Sequence, residues 1–196
     1  MDSIEIHDEN KTILLYKIIN DLPAPPQEII DSIDVTYKPT INDYGLDNQR
    51  HLKNWNGKNA IAPVNRRVKH ELFETWVKNN ITTEFNDCGV NYVLNVNSGP
   101  TSTGGHTDGT RNFVLLYPIL QGGEHAMLTF WKEEGHSIIR PRVTWGEDFT
   151  KLRMLGQVKL PEGKWLLNHT NVIHSVENLF STRINLQISL NEHPWK

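Results

Sequence analysis

Two residues in the segment Gly104–Gly109 are suited to binding a metal ion together, His106 and Asp108. In an extended chain, residues two positions apart point to the same side, so this imidazole and this carboxylate share one face. A second imidazole, His174, follows in the segment 171–178. Two imidazoles and one carboxylate can hold one side of an ion and leave its other coordination positions open. We therefore predict that His106, Asp108 and His174 are metal ligands.

The types of these ligands indicate which metal the site prefers. Imidazole and carboxylate groups suit Fe(II), whereas structural zinc sites usually contain thiolates, and this set has none. Two further histidines leave the assignment open, because either could replace one of the three ligands. His125 follows a glycine-rich turn, and His169 lies five residues before His174.

A second feature is the alternation of polar and apolar residues that begins at Arg183. Such alternation is typical of a β-strand, in which every second side chain lies on the same face. The residues on one face are Arg183, Asn185, Gln187 and Ser189. A charge that faces the interior is costly unless it is paired, and the nearest acid upstream is Glu177, in the connection to this strand. The planar guanidinium suits a bound dicarboxylate; the alternative is an outward arginine in a surface ion pair.

The order of these residues resembles that of the Fe(II)/2-oxoglutarate-dependent oxygenases. The pattern of that family is His-x-Asp, a distal histidine and then a phased arginine. The matching residues here are His106, Asp108, His174 and Arg183, the last of them nine residues after the distal histidine. A Gly-Gly-Glu turn that opens an apolar strand and a Leu-Pro-Glu-Gly segment before the distal histidine are also similar to the family. The resemblance covers about residues 88 to 191, and the combination is more specific than any one motif.

The resemblance implies a fold and an activity. The fold is a double-stranded β-helix, a cupin-like jelly roll with the metal in its mouth. The activity is that of a dioxygenase that uses Fe(II), 2-oxoglutarate and O₂ and releases succinate and CO₂. The expected reaction is hydroxylation of a small metabolite or of an amino-acid or peptide side chain.

The resemblance also implies roles for residues around the metal. Arg183 would hold the distal carboxylate of 2-oxoglutarate, although Asn185 stands where the family often has Ser or Thr. Asn95, on the strand before the His-x-Asp motif, would hydrogen-bond the oxo acid, with Tyr92 and Asn97 as competing candidates. Just after the motif, Arg111 is a candidate for holding a substrate carboxylate, with a solvated loop arginine as the alternative.

Two other classes of protein share parts of this pattern. The first is a cupin-like metal protein that does not use 2-oxoglutarate and has no need for Arg183. The second is a catalytically silent β-sandwich binding module that has kept the three ligands. A nucleic-acid demethylase is disfavoured, because its pattern has a second arginine at the end of the strand, where this chain has Ser189.

The composition limits the possible partners and the compartment. The chain has 196 residues and a net charge of −3, which gives no general attraction to nucleic acid or anionic membranes. The single Cys88 fits a reducing compartment, and the acidic start lacks the features of a signal peptide, so we expect a cytoplasmic protein. We predict one domain over residues 1–196, with 1–87 as support and 88–191 as the β-helix core.

Local patterns predict a mostly β fold, a β-sandwich or jelly roll with N-terminal helices. A helix that Asn65 caps should run to about Asn79, with an apolar stripe packed as core. Residues 34 to 64 form a long connection that is either a plain loop or a lid over the site. Residues 144–156 are predicted to be a loop or short helix. The other predicted elements are a helix at 27–33 and strands at 12–19, 90–96, 112–120, 126–131, 137–143, 157–160, 165–168 and 183–190.

Overall fold

The computed structural model of the protein describes residues 2–8, 11–37, 64–94, 100–140 and 149–193. Within these ranges the strands are β1 (Ser3–Asp8), β2 (Lys11–Ile19), β3 (Val64–Val68), β4 (Asp87–Leu94), β5 (Phe113–Gln121), β6 (Met127–Glu133), β7 (Leu152–Val158), β8 (Trp165–His169), β9 (Ile173–Glu177) and β10 (Arg183–Leu190). The α-helices are α1 (Gln27–Asp31) and α2 (Glu71–Asn80), and a 3₁₀ turn covers Phe149–Lys151.

The strands form two sheets with antiparallel pairing. In the larger sheet, seven strands lie in the order β1-β2-β8-β5-β10-β4-β3, and in the smaller sheet three lie in the order β7-β6-β9. Apolar side chains of both sheets meet in one buried cluster, to which Leu116, Phe130 and Leu166 belong. The predicted mostly β fold is confirmed, and the arrangement is consistent with a β-sandwich.

The outer face of the larger sheet packs against the helices. Ile184 and Leu186 of β10 lie in a second buried cluster with Phe73 of α2 and Trp165 of β8. The Trp165 indole donates a hydrogen bond to the Pro23 carbonyl at 2.8 Å, which ties the segment before α1 to the sheet. The other face of β10 is polar and points between the two sheets. This strand therefore separates the apolar core from the cavity described below.

The expected N-terminal helices are largely wrong, because the described part of this region contains three strands and only two short helices. β3 lies where the pattern predicts that Asn65 caps a long helix. This residue instead pairs with Val93 of β4, and pairing within the sheet outweighs a local helical pattern. α2 begins only at Glu71, where the His70 ring accepts a hydrogen bond from the backbone N–H of Phe73 at 3.2 Å.

The predicted apolar stripe is core only in part. Phe73 and Val77 are fully buried, and Trp76 is half-buried and stacks on the β8 tryptophan at a centroid distance of 6.4 Å. Leu72 is 60% exposed, and Val68 belongs to β3 and is also exposed. The stripe spans two elements, so helical spacing does not describe all of it.

Three differences appear later in the chain. β7 begins at Leu152, where the pattern predicts a loop or short helix, because a register shift against β6 disturbs its alternation. β9 has no counterpart among the predicted elements. Of the predicted strand 137–143, the structure describes residues to 140, and there Ile139 makes one bridge to Val172.

The structure also describes Cys88 and part of the long connection. Cys88 lies within β4 and is buried, and burial raises the pKa of its thiol to about 12. A thiol with this pKa stays protonated and is a poor nucleophile. Most of residues 34 to 64, the predicted loop or lid, lies outside the described residues. Among the described segments, no helix has the length and apolar character needed to cross a membrane.

The packing of α2 yields a stability prediction. Phe73 has 0% exposure, so Phe73→Ala should lower the free energy of unfolding by about 3–5 kcal/mol. The matched control on the same helix is Leu72→Ala, which should change it by less than about 0.5 kcal/mol. Urea denaturation followed by circular dichroism measures both, and equal losses in the two variants would contradict this packing.

Candidate metal centre

Backbone pairing brings the two predicted histidine ligands together. The His106 N–H donates to the His174 carbonyl at 3.0 Å, and the His174 N–H donates back to the His106 carbonyl at 2.9 Å. These two residues therefore form a β-bridge at the edge of β9. The Asp108 N–H donates to the Thr170 carbonyl at 2.9 Å, which holds the rest of the motif against the turn before β9.

The three side chains converge on one point. One ligand atom from each of His106, Asp108 and His174 lies within 4.8 Å of the others. The distance from His106 Nε2 to Asp108 Oδ1 is 3.8 Å, and the two imidazole centroids are 4.7 Å apart. Atoms that each bind one ion at about 2 Å must lie about 3–4 Å apart, so the arrangement suits a single metal ion.

Backbone carbonyls fix the orientation of both imidazoles. The Nδ1–H of His106 donates to the Gly104 carbonyl at 2.9 Å, and that of His174 donates to the Val172 carbonyl at 2.9 Å. A carbonyl only accepts, so in each ring Nδ1 carries the hydrogen and Nε2 carries the lone pair that a metal binds. Histidine ligands in metal sites usually have such partners.

The electrostatics of the site favour the deprotonated forms that bind metals. Burial, and to a smaller extent the neighbouring His106, lower the pKa of His174 to about 4. For Asp108, burial raises the pKa, but His174, Arg111 and His106 together outweigh burial and bring it below its usual value. At neutral pH the site therefore offers a neutral His174 and an ionised Asp108.

Arg111 contacts Asp108 directly. Its Nε and one terminal nitrogen both lie 2.7 Å from Asp108 Oδ2, and its other terminal nitrogen donates to Ser189 Oγ at 3.0 Å. The guanidinium thus holds one carboxylate oxygen and leaves Oδ1 facing His106. Asp108 and Arg111 are three residues apart, a spacing that predicts a contact only when both residues lie in a helix, and here they lie in a loop. Whether Arg111 also contacts a substrate carboxylate stays a prediction.

One cavity between the two sheets joins His106, Asp108 and His174 to the polar face of β10. Its lining also includes Thr103, Val176, three residues of β10 and side chains from β3, β4, β5, β6 and β8. The β10 residues are Arg183, Asn185 and Gln187, as the alternation predicts. Three further amides line the cavity, Asn65, Asn91 and Asn168. Their local sequence does not predict this position, because it does not show which strands become neighbours.

Arg183 faces this cavity and is only 3% exposed. Among the described residues, its one side-chain hydrogen bond is a long contact of 3.5 Å to Asn185 Oδ1, and it forms no ion pair there. Glu177, the nearest acid upstream, accepts instead from Ser102 and Ser175. Burial lowers the pKa of Arg183 to about 10, so the guanidinium stays charged at neutral pH.

The remaining candidates lie elsewhere. Asn95 and Asn97 are outside the described residues. Tyr92 packs in the outer cluster against Tyr37, at a centroid distance of 4.8 Å, and does not line the cavity. His125 is exposed. The His169 ring pairs with the Leu14 carbonyl at 3.1 Å and is not part of the metal-binding group.

No protein-family model, no curated protein and no solved structure matches the chain.

The geometry predicts which substitutions abolish metal binding. His106→Ala, Asp108→Ala and His174→Ala should each weaken Fe(II) binding by more than about 100-fold, a larger loss than removing a group that only supports a ligand causes. Anaerobic calorimetry measures the affinity, and circular dichroism checks the fold. The control is His125→Ala, which should bind Fe(II) like the parent. Unchanged affinity in all three ligand variants would rule out this centre.

Proposed function

We propose that the protein is an Fe(II)- and 2-oxoglutarate-dependent oxygenase, with residues 88–191 as a double-stranded β-helix core. The observation that carries the proposal is the buried Arg183, which shares one cavity with the three metal ligands and has no acidic partner among the described residues. A metal centre alone does not require this charge. A metal centre with a bound dicarboxylate does.

The donor set supports Fe(II). Two imidazoles and one carboxylate on one side of an ion form the facial arrangement of non-haem iron oxygenases. Arg111 occupies the second oxygen of Asp108, which favours binding of the ion through one oxygen. Coordination positions on the cavity side then stay available to other ligands.

The cost of burying a charge supports the cosubstrate. An unpaired buried guanidinium costs several kcal/mol, and a dianion at the far end of the cavity offsets this cost. The planar fork of Arg183 can donate two parallel hydrogen bonds to one carboxylate. Asn185, next on the same face, adds an amide at the same end of β10.

When bound, Fe(II), 2-oxoglutarate and O₂ supply the oxidative decarboxylation of the oxo acid to succinate and CO₂ and the oxidation of a substrate. The chain contributes position and environment. His106 and His174 are held by backbone carbonyls, and Asp108 is held by Arg111. Apolar side chains on both sides of the cavity exclude water, namely Val93, Val114, Leu116, Leu128 and Val176. We propose a small metabolite or an amino-acid or peptide side chain as substrate and the cytoplasm as location.

Two rival functions differ in what they require. A cupin-like metal protein binds the ion but gives Arg183 no ligand, so it predicts no specific affinity for 2-oxoglutarate. A silent binding module predicts neither iron binding nor turnover. Anaerobic titration of the metal-free protein with Fe(II) and then 2-oxoglutarate separates all three, because a weak visible charge-transfer band requires both to be bound.

Arg183 provides the decisive substitutions. Arg183→Lys keeps the charge and loses the fork, so 2-oxoglutarate affinity should fall about 10-fold. Arg183→Met loses both, and the affinity should fall by more than about 100-fold. Fe(II) affinity should change less than about 3-fold, because Arg183 is not a ligand. Succinate formation without added substrate should fall in the same order.

The control for this series is Arg153→Met, which removes an exposed arginine from β7. It should bind 2-oxoglutarate like the parent. Full 2-oxoglutarate affinity in a folded Arg183→Met protein would reject the cosubstrate and favour the cupin-like function.

A further inference from the structure

Two amide side chains in the cavity each have one buried polar atom without a hydrogen-bond partner. Asn168 of β8 and Gln187 of β10 are each 2% exposed, and both line the cavity that contains the metal ligands. Asn168 Oδ1 and Gln187 Nε2 are enclosed and have no hydrogen-bond partner in the described part of the chain. Buried amide groups are normally paired, and leaving them unpaired is costly.

The backbone gives neither amide a way out to solvent. Both residues lie within the larger sheet, where Val114 of β5 pairs with Asn168 on one side and with Ser189 on the other. Gln187 pairs with Leu116 in the same ladder. Strand pairing on both sides therefore fixes the face on which these side chains lie, so partners for the two atoms can come only from inside the cavity.

The two amides lie towards the metal end of the cavity. Asn168 is in the same row of the sheet as Ser189, whose hydroxyl accepts from the arginine that holds Asp108. Gln187 is two residues from Ser189 on the same face of β10. Arg183 is six residues from Ser189, about 20 Å along an extended strand. Gln187 therefore lies between the metal end and Arg183, and Asn168 lies at the metal end itself, in the row of Ser189.

We propose that Asn168 and Gln187 form the subsite for the molecule that is oxidised, and that this molecule presents an uncharged group with both N–H or O–H donors and an acceptor, such as a carboxamide or an alcohol. The inference rests on the proposed function. Each side-chain amide offers a donor and an acceptor, and 2-oxoglutarate carries acceptors only, so it cannot satisfy an amide oxygen. The donors must come from a second ligand.

The charges of the lining exclude other classes of ligand. The one carboxylate among the described lining residues is Asp108, and it is already held by Arg111. A cationic substrate therefore finds no counter-charge on these walls. An apolar substrate leaves both amides unpaired. The neighbouring Val114, Leu116 and Leu128 suit the carbon atoms of a small polar molecule.

The first experiment measures stability and needs no ligand. If the two amides serve to bind a ligand, each destabilises the ligand-free protein by burying an unpaired polar atom. Apolar replacements of similar size should remove this destabilisation. Gln187→Met and Asn168→Leu should each raise Tm by about 2–4 °C. The matched control is Thr170→Val, which removes a buried hydroxyl that donates to the Arg111 carbonyl at 2.8 Å and should lower Tm.

The second experiment tests the chemical class of the ligand. The protein is loaded anaerobically with Fe(II) and 2-oxoglutarate and titrated by calorimetry with butanamide, butan-1-ol, butanoate and pentan-2-one. The parent should bind butanamide or butan-1-ol at least about 10-fold more tightly than the other two, which lack donors. Gln187→Met and Asn168→Leu should lose this preference and keep the Fe(II) and 2-oxoglutarate affinities within about 3-fold.

Three results would overturn the subsite. The apolar variants could lower Tm as Thr170→Val does, which would make the amides structural. Gln187→Met could weaken 2-oxoglutarate binding, which would assign it to the cosubstrate. The parent could bind all four probes equally. If the parent binds no iron or 2-oxoglutarate, the proposed function fails separately, and Tm together with probe binding to the metal-free protein still decides whether the amides bind a donor-bearing ligand.

Discussion

The site depends on the two hydrogen bonds that the backbones of His106 and His174 exchange. They join a loop to the edge of the smaller sheet and set both imidazoles before any ion binds. Each ring is also held through Nδ1 by a carbonyl of its own segment, so both imidazoles have little rotational freedom left to lose to a bound ion. Folding therefore already restricts the conformational entropy of these two side chains.

β10 gives the rest of the structure its division into core and cavity. Its apolar residues Ile184, Leu186 and Ile188 are fully buried against the helix side, and its polar residues face the space between the sheets. A shift of one residue in its register would exchange the two faces, placing a guanidinium in the apolar core. Pairing on both sides, with β4 and β5, holds the register. The apolar face of the strand thus stabilises the fold. Its polar face carries Arg183 and Gln187, which have few or no partners within the described chain.

Local patterns were sufficient for the features that repeat along the chain. The alternation in β10 predicted which side chains share a face, and the His-x-Asp spacing predicted a shared side for two ligands. Local patterns failed where contacts between distant segments determine the structure. Asn65 reads as a helix cap until β4 is present to pair with it, and Asn168 gains its place in the cavity only through the order of β8, β5 and β10. The contact of Arg111 with Asp108 likewise depends on a loop conformation that no periodicity encodes.

Ser189 links Asp108 to the molecular surface. Its hydroxyl oxygen accepts from Arg111 at 3.0 Å and from Arg67 at 3.4 Å, and Arg67 forms an ion pair with Asp87. This run of contacts reaches from Asp108 to a pair whose side chains are 32% and 37% exposed. Dissolved salt screens that partly exposed pair. A change in ionic strength at Arg67 can therefore reach the Asp108 carboxylate through the Ser189 hydroxyl and Arg111.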